Sequence, residues 1–156
     1  MFKIYLNKTD KDGRTALHYA IVDNKVFKAK LLLTLGSDSN IQDKKGWSPL
    51  HAAAQSQNEE ITRLLLKHGA NVHAKNSHGN TPLSVALSSY RGKSCSSIRL
   101  LIKAGSTPHE KNNYGISPYN FAQDVANYDL KQFFKAIPTS PAISNGRTRA
   151  ARGATG

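Results

Sequence analysis

Three histidines recur at five-residue steps, His68, His73 and His78, and imidazoles at short spacing are the raw material of a metal site. Steps of five do not fall on one helical face, and Gly69 divides the first, on a helix, from the second, in a loop. Gly92-Lys93-Ser94 is similar to the end of a phosphate-binding loop, but Leu87 stands where the required glycine should lie, five residues earlier, and no strand is expected before it. Cys95 is the single cysteine, which excludes an internal disulfide and a thiolate metal cluster. It lies among serines, with no histidine and acid set in a recognisable motif around it. The expectation is a protein with no catalytic set, no metal and no cofactor.

Binding is then the function to look for, and charge is the unusual bulk feature. The 156 residues carry 22 Lys and Arg against 10 Asp and Glu, a net charge of +12 spread along the chain, which points to an anionic partner. The segment 138–156 holds Arg147, Arg149 and Arg152 without an acid and reads as a basic, disordered tail; the remainder stays basic without it. A hydrophobic content of 38% supplies one core but no 18-residue apolar run for a membrane span. The opening "MFKIYLNKTDKDG" lacks the apolar core of a secretory signal, so a cytoplasmic setting is expected, or a nuclear one, or the host cytosol for a secreted effector.

The organisation comes from repetition. Gly13, Gly46 and Gly79 are 33 apart and Gly115 follows after 36; Gly36, Gly69 and Gly105 show the same 33 and 36. Both series slip by three within residues 88–97, where "SSYRGKSCSS" lengthens the link between the two helices of the third unit. In each unit a Ser or Thr opens a helix by accepting free N–H groups, and proline at the next position lacks a donor that the first turn does not need. Ser48-Pro49, Thr81-Pro82 and Ser117-Pro118 are such starts, with Thr15-Ala16 as a variant. Leu50, Ala53 and Ala54 form a small-residue apolar face, repeated by Leu17, Ala20 and Ile21 and by Leu83, Ala86 and Leu87. The first helix of the second unit should end near Gln57, and a second helix should run through Ile61, Leu64, Leu65 and Leu66 to a left-handed stop at Gly69. Leu31 to Leu33 and Leu100 to Ile102 are the counterparts. About ten polar residues then form an extended turn. A helix pair this small cannot bury its own stripe, so the units must stack into an elongated all-α solenoid.

The units resemble ankyrin repeats. "DKKGWSPLHAAA" and "DKDGRTALHYA" match the family's turn and first helix, and "LLLKHGANV" and "LLLTLGSDSN" match its second helix and hairpin. The resemblance covers residues 10 to about 137, in units of about 10–42, 43–74, 75–110 and 111–137. It implies stacked helix-turn-helix units with β-hairpin-like loops. It also implies that His18 and His51 are structural, tying turn to helix through hydrogen bonds. The third unit departs with Ser84 in place of the histidine, and the fourth, with Tyr119 and Asn120, suits a C-terminal cap. Before the first unit, "IYLNKTDKDG" resembles only the hairpin end of a preceding one; either "MFKIYL" covers the exposed face or the chain is a piece of a longer array.

The resemblance further implies that partners lie against the hairpin tips and first helices on a concave face. Carried over by position, the candidates are Lys11, Asp12 and Arg14 in the first unit, with Lys44, Lys45, Trp47, Gln55 and Ser56 in the second. Ser77, His78, Asn80, Ser88 and Ser89 follow in the third, Tyr90 and Arg91 in its insertion, and Tyr114 in the fourth. Trp47 is favoured because aromatic side chains dominate interface energetics; the alternative is packing over the adjacent hairpin. Lys11, Lys44 and Lys45 form a basic stripe near it, or a merely solvated surface. Ankyrin hairpins are also substrates of asparaginyl hydroxylases, and Asn40 occupies the target position, with His73 its equivalent in the second unit. The expected function is a monomeric, non-enzymatic module that binds a protein partner bearing an acidic patch, as an inhibitor, an immunity protein, an effector or a scaffold. The competing expectation is nucleic acid or an anionic membrane, bound through the basic surface and the arginine-bearing tail.

Overall fold

A computed structural model describes residues 5–125 and 129–135. The segment "MFKI" that opens the chain and the whole of 138–156, with its basic tail, lie outside the described residues. Seven α-helices fall wholly within them: α1 Ala16–Val22, α2 Val26–Thr34, α3 Pro49–Ser56, α4 Glu59–Lys67, α5 Pro82–Ser88, α6 Ser96–Lys103 and α7 Pro118–Asp124. A 3₁₀ turn, Leu130–Phe134, takes the place of a second helix in the fourth unit. Among the described residues there is no strand.

The starts follow the Ser/Thr-Pro rule. The hydroxyls of Ser48, Thr81 and Ser117 accept from the backbone N–H of His51, Ser84 and Asn120. Helix α4 is capped by Asn58, which accepts from the Ile61 N–H at 2.8 Å, and carries Glu59 and Glu60 in its first turn and Lys67 in its last, each sign matched to the helix dipole. Helix α3 stops at Gln57, a left-handed residue with φ 54°. Gly69 follows α4 at φ 77°, a conformation that costs a residue with a Cβ and costs glycine nothing. The link between α5 and α6, residues 89–95, is the longest between paired helices, as the slip in the glycine series requires.

The elements stack in two layers. First helices pack in series, α1 on α3, α3 on α5 and α5 on α7, while α2 packs on α4 and α4 on α6. Leu17, Ile21, Leu50, Leu83 and Leu87 from the first layer meet Ile61, Leu65, Ile98 and Leu101 from the second, all essentially inaccessible to water. Burying each such side chain contributes about 1.5–3 kcal/mol. Ala20, Ala53, Ala54 and Ala86 are also buried, the small residues that let neighbouring helices approach.

The apolar residues of α2 are not all covered. Leu31 is 48% exposed, Phe27 81% and Leu35 44%, while Leu33 of the same helix is buried. The reason is positional, since α4 lies between α2 and α6 in the second layer, whereas among the complete helices of that layer α2 is flanked by α4 alone, with α1 packed beneath it.

Between units the chain forms four loops of one design. Asp10, Asp43, Asn76 and Asn112 each use Oδ1 to accept two backbone N–H groups, from the residues two and four further on, at 2.9–3.1 Å. Their own N–H groups donate back across the turn to the carbonyls of Arg14, Trp47, Asn80 and Ile116. Adjacent tips are joined by single backbone bonds, Lys44 N–H to the Asp12 carbonyl, Ser77 to Lys45 and Asn113 to His78, at 2.9–3.0 Å. At Gly46 this stacking is close enough that a Cβ would sit 2.8 Å from Asn76 Cα. The result is a row of tips along one edge, beside the layer of first helices.

Candidate binding face

The first helices of the first two units are each tied to the loop of the next unit. In α1, His18 Nδ1 accepts from the Thr15 N–H at 3.1 Å and pairs with the Thr15 hydroxyl at 2.9 Å; its Nε2–H donates to the Trp47 carbonyl at 3.1 Å. His51 repeats this in α3, with Ser48 at one ring nitrogen and the Asn80 carbonyl, 2.9 Å away, at the other. A nitrogen that accepts from a backbone N–H is unprotonated, so both rings are neutral. Burial lowers both histidine pKa values below the usual one, which favours that state. The imidazoles therefore act as struts.

The bracing leaves the tip side chains outward. Lys11, Asp12, Lys44, Lys45, Ser77, His78 and Tyr114 are exposed, as are Gln55, Ser56 and Ser88 at the ends of the first helices. Arg14, Trp47, Asn80, Ser89 and Tyr90 are half-buried. The Trp47 ring packs on the core, lies 5.7 Å from that of His51 and lines a cleft of about 260 Å³. Arg14, Lys45, Val22, Ala52 and Gln55 share that cleft with His18 and Asp43. Arg14 Nε lies 3.5 Å from Asp43 Oδ2, and the Asp43 side chain is only 6% exposed, its other oxygen being spent on the loop. Lys11, Lys44 and Lys45 thus keep an exposed positive charge that Asp12 offsets in part.

The insertion is less free than its composition suggests. Tyr90 packs edge-on against Phe133 with centroids 6.0 Å apart, joining the insertion to the 3₁₀ turn. Arg91 Nη1 donates to the carbonyls of Ser88 and Tyr90, while Gly92, Lys93 and Ser94 are exposed. Asn40 is an exposed residue whose carboxamide bridges to the next unit: Nδ2 donates to the Gly69 carbonyl at 3.0 Å and Oδ1 accepts from the Asn71 N–H at 2.7 Å. His73 lies 3.8 Å from Glu110, which Lys75 holds at 3.0 Å. Among the described residues no three His, Cys, Asp or Glu side chains converge, so His68, His73 and His78 are not brought together. His78 stacks on Tyr114, with Nδ1 3.1 Å from the phenol oxygen. No helix among the described residues is long and apolar enough to cross a membrane.

A second cleft escaped the sequence reading. At Ser84 the strut is missing: its hydroxyl reaches only back to Thr81 Oγ1 at 3.3 Å. A cleft of about 190 Å³ opens between α5 and the fourth loop, where Ile116 and Phe121 join Asn80, Ser84 and Ser88. The signal in the sequence is apolar: Ile116 and Phe121 stand at the places that Trp47 and Ala52 hold in the first cleft.

No curated protein matches the chain. A family model for ankyrin repeats, in three copies, matches residues 24–112, more than half of the chain. Such repeats are generally non-enzymatic modules for protein–protein interaction. With that match, and with the stacked helix pairs, bracketed loops and histidine struts in register, the chain belongs to the ankyrin-repeat family.

Proposed function

We propose that the face formed by the loop tips and first helices binds a protein partner through its basic end, and that this partner carries an acidic patch. The observation that carries the reading is the cleft lined by Arg14, Lys45 and Trp47, with the exposed ammonium groups of Lys11 and Lys44 on the adjoining tips. A half-buried aromatic ringed by cations is the composition of an interface centre, where Trp and Arg carry most of the energy. The hydrogen-bonded tips make the face preorganised, so little backbone change is expected on binding. A rigid face of this kind acts by covering a partner's surface, the steric action common to inhibitors, immunity proteins and scaffolds.

The test is an affinity pull-down from source-cell lysate with nuclease added, at about 150 mM and about 500 mM salt, comparing the parent with a combined Trp47→Ala, Lys44→Glu, Lys45→Glu variant. A discrete protein that survives nuclease and is lost with the variant supports the reading. Recovery of nucleic acid or lipid alone, vanishing at the higher salt, would transfer the function to the basic surface as such.

A further inference from the structure

We infer that the cleft over Ser84 is an anchor pocket for one large apolar side chain. With the basic end, it fits the face to an extended segment of an acidic partner that carries acidic residues towards one end and an apolar anchor towards the other. This rests on the reading of the loop and first-helix face as a protein-binding surface.

The cleft holds the same place between α5 and the fourth loop that the first cleft holds between α1 and the second loop, and the two differ in their lining. In the first two interfaces an imidazole bridges first helix and following loop, donating to a carbonyl at 3.1 Å and 2.9 Å, and the cleft of about 260 Å³ beside His18 has Arg14, Asp43 and Lys45 in its wall. At Ser84 the bridge is absent, and the cleft of about 190 Å³ has Ile116 and Phe121 where the first has Trp47 and Ala52. That volume is below the roughly 300 Å³ at which pockets for small molecules begin, so it suits a single side chain of a larger ligand. Its walls are apolar where a side chain would enter, with Ile116, Pro118 and Phe121 on the fourth-unit side, and no charged group lines it. Ile116 is 45% exposed and the neighbouring Tyr114 69%, so the lip is apolar as well, against the usual rule for a loop tip.

The polar groups present suit a backbone. Asn80 Oδ1 is taken by Asn112 Nδ2 at 2.8 Å, and no other side-chain bond of Asn80 is formed among the described residues, which leaves its Nδ2–H groups to donate. The Ile116 carbonyl is the counterpart of the Trp47 and Asn80 carbonyls that take the imidazole N–H; here it accepts only from Asn112 within its own loop. A donor and an acceptor at the mouth of an apolar pocket can hold an extended chain while its side chain enters. The polarity of the face does the rest: Lys11, Arg14, Lys44 and Lys45 lie within the first two loops, whereas 76–80 and 112–116 hold no lysine or arginine; of the two lysines that adjoin them, Lys75 is paired with Glu110 at 3.0 Å and Lys111 is exposed. Charge complementarity then orients an acidic segment along the row of tips.

The experiment is selection of a phage-displayed random dodecapeptide library on the intact chain and on its Ser84→His variant, followed by fluorescence anisotropy of the recovered peptides. The parent should select peptides with an acidic cluster and one large apolar residue. Those peptides should bind Ser84→His at least about tenfold more weakly, because the ring enters the cleft wall and takes the Ile116 carbonyl as His18 and His51 take those of Trp47 and Asn80, while the variant melts no lower than the parent. Ile116→Asp, a change at an exposed position, should weaken them comparably. Equal binding to parent, Ser84→His and Ile116→Asp, with loss in the Lys44→Glu, Lys45→Glu variant, would overturn the anchor and leave the basic binding face standing. If no peptide is selected, or none is sensitive to either set of substitutions, the extended-segment inference falls.

Discussion

His51 Nε2 sits 2.9 Å from the main-chain oxygen of Asn80, a residue 29 positions away and in the next unit. Because the other ring nitrogen is held by Ser48, one side chain closes a helix start and an inter-unit contact together. His51→Ala should therefore destabilise by about 2–4 kcal/mol, combining a cavity with an orphaned Ser48 N–H and the loss of one of the two bonds to the Asn80 carbonyl. Urea denaturation measures this; a loss below about 1 kcal/mol would mean that the strut is dispensable.

The same rings set a pH dependence. Both His18 and His51 have folded-state pKa values below the ordinary 6.5, chiefly through burial. The unfolded chain then binds more protons than the folded one below about pH 6.5, so stability falls as pH falls through that window and is full above it. Asp10, held low first by the Tyr19 hydroxyl, and Glu59, held low first by Ser96, act in the same direction, but only below their ordinary values of 3.8 and 4.5. A melting temperature series from pH 7.5 to about 5 should decline, and the decline should shrink in a His18→Gln, His51→Gln variant.

Ser37 and Ser106 occupy the same place in their units as Ala70, and each buries a hydroxyl with no hydrogen-bond partner among the described residues. Replacing either by alanine removes an unsatisfied group without opening a cavity. Each substitution should raise stability by about 1 kcal/mol, and the pair should be nearly additive because they lie in different units. Chemical denaturation of the single and double variants checks both statements.

Two glycines separate backbone strain from crowding. Gly46 and Gly69 have nearly equal φ, 74° and 77°, yet a Cβ at Gly46 meets the Asn76 backbone at 2.8 Å and one at Gly69 meets nothing within 4 Å. Gly69→Ala should cost about 1 kcal/mol, the left-handed penalty alone. Gly46→Ala should cost on the order of 3 kcal/mol, because the second loop would have to move away from the third. Similar losses in the two variants would show that the tips yield easily.

The architecture was legible because stacking is periodic and the residues it requires are few. The glycine spacing, the Ser/Thr-Pro starts and the Leu-x-x-Ala-Ala faces each answer to one local rule, and the structure places them accordingly. The exposure of Phe27, Leu31 and Leu35 was not legible, because apolar spacing reports a helix face without reporting whether a neighbour covers it. Trp47 was singled out by residue type, but its packing against the His51 ring was not legible. The cleft over Ser84 was not legible because it is lined from two units at once, Ser84 and Ser88 of α5 with Ile116 and Phe121 of the fourth, and residue spacing does not report how closely units stack.

A missing strut also bears on cooperativity. In a solenoid the units communicate only through adjacent interfaces, so the chain loosens first where coupling is weakest. The boundary at Ser84 has lost its imidazole bridge, and beyond it the second helix has shortened to a 3₁₀ turn. Native-state amide exchange should accordingly be fastest in 111–125, ahead of the units braced by His18 and His51, and Ser84→His should slow it. The position that shapes the pocket would then also govern how far the last unit frays, and a segment anchored there would hold the end of the stack closed.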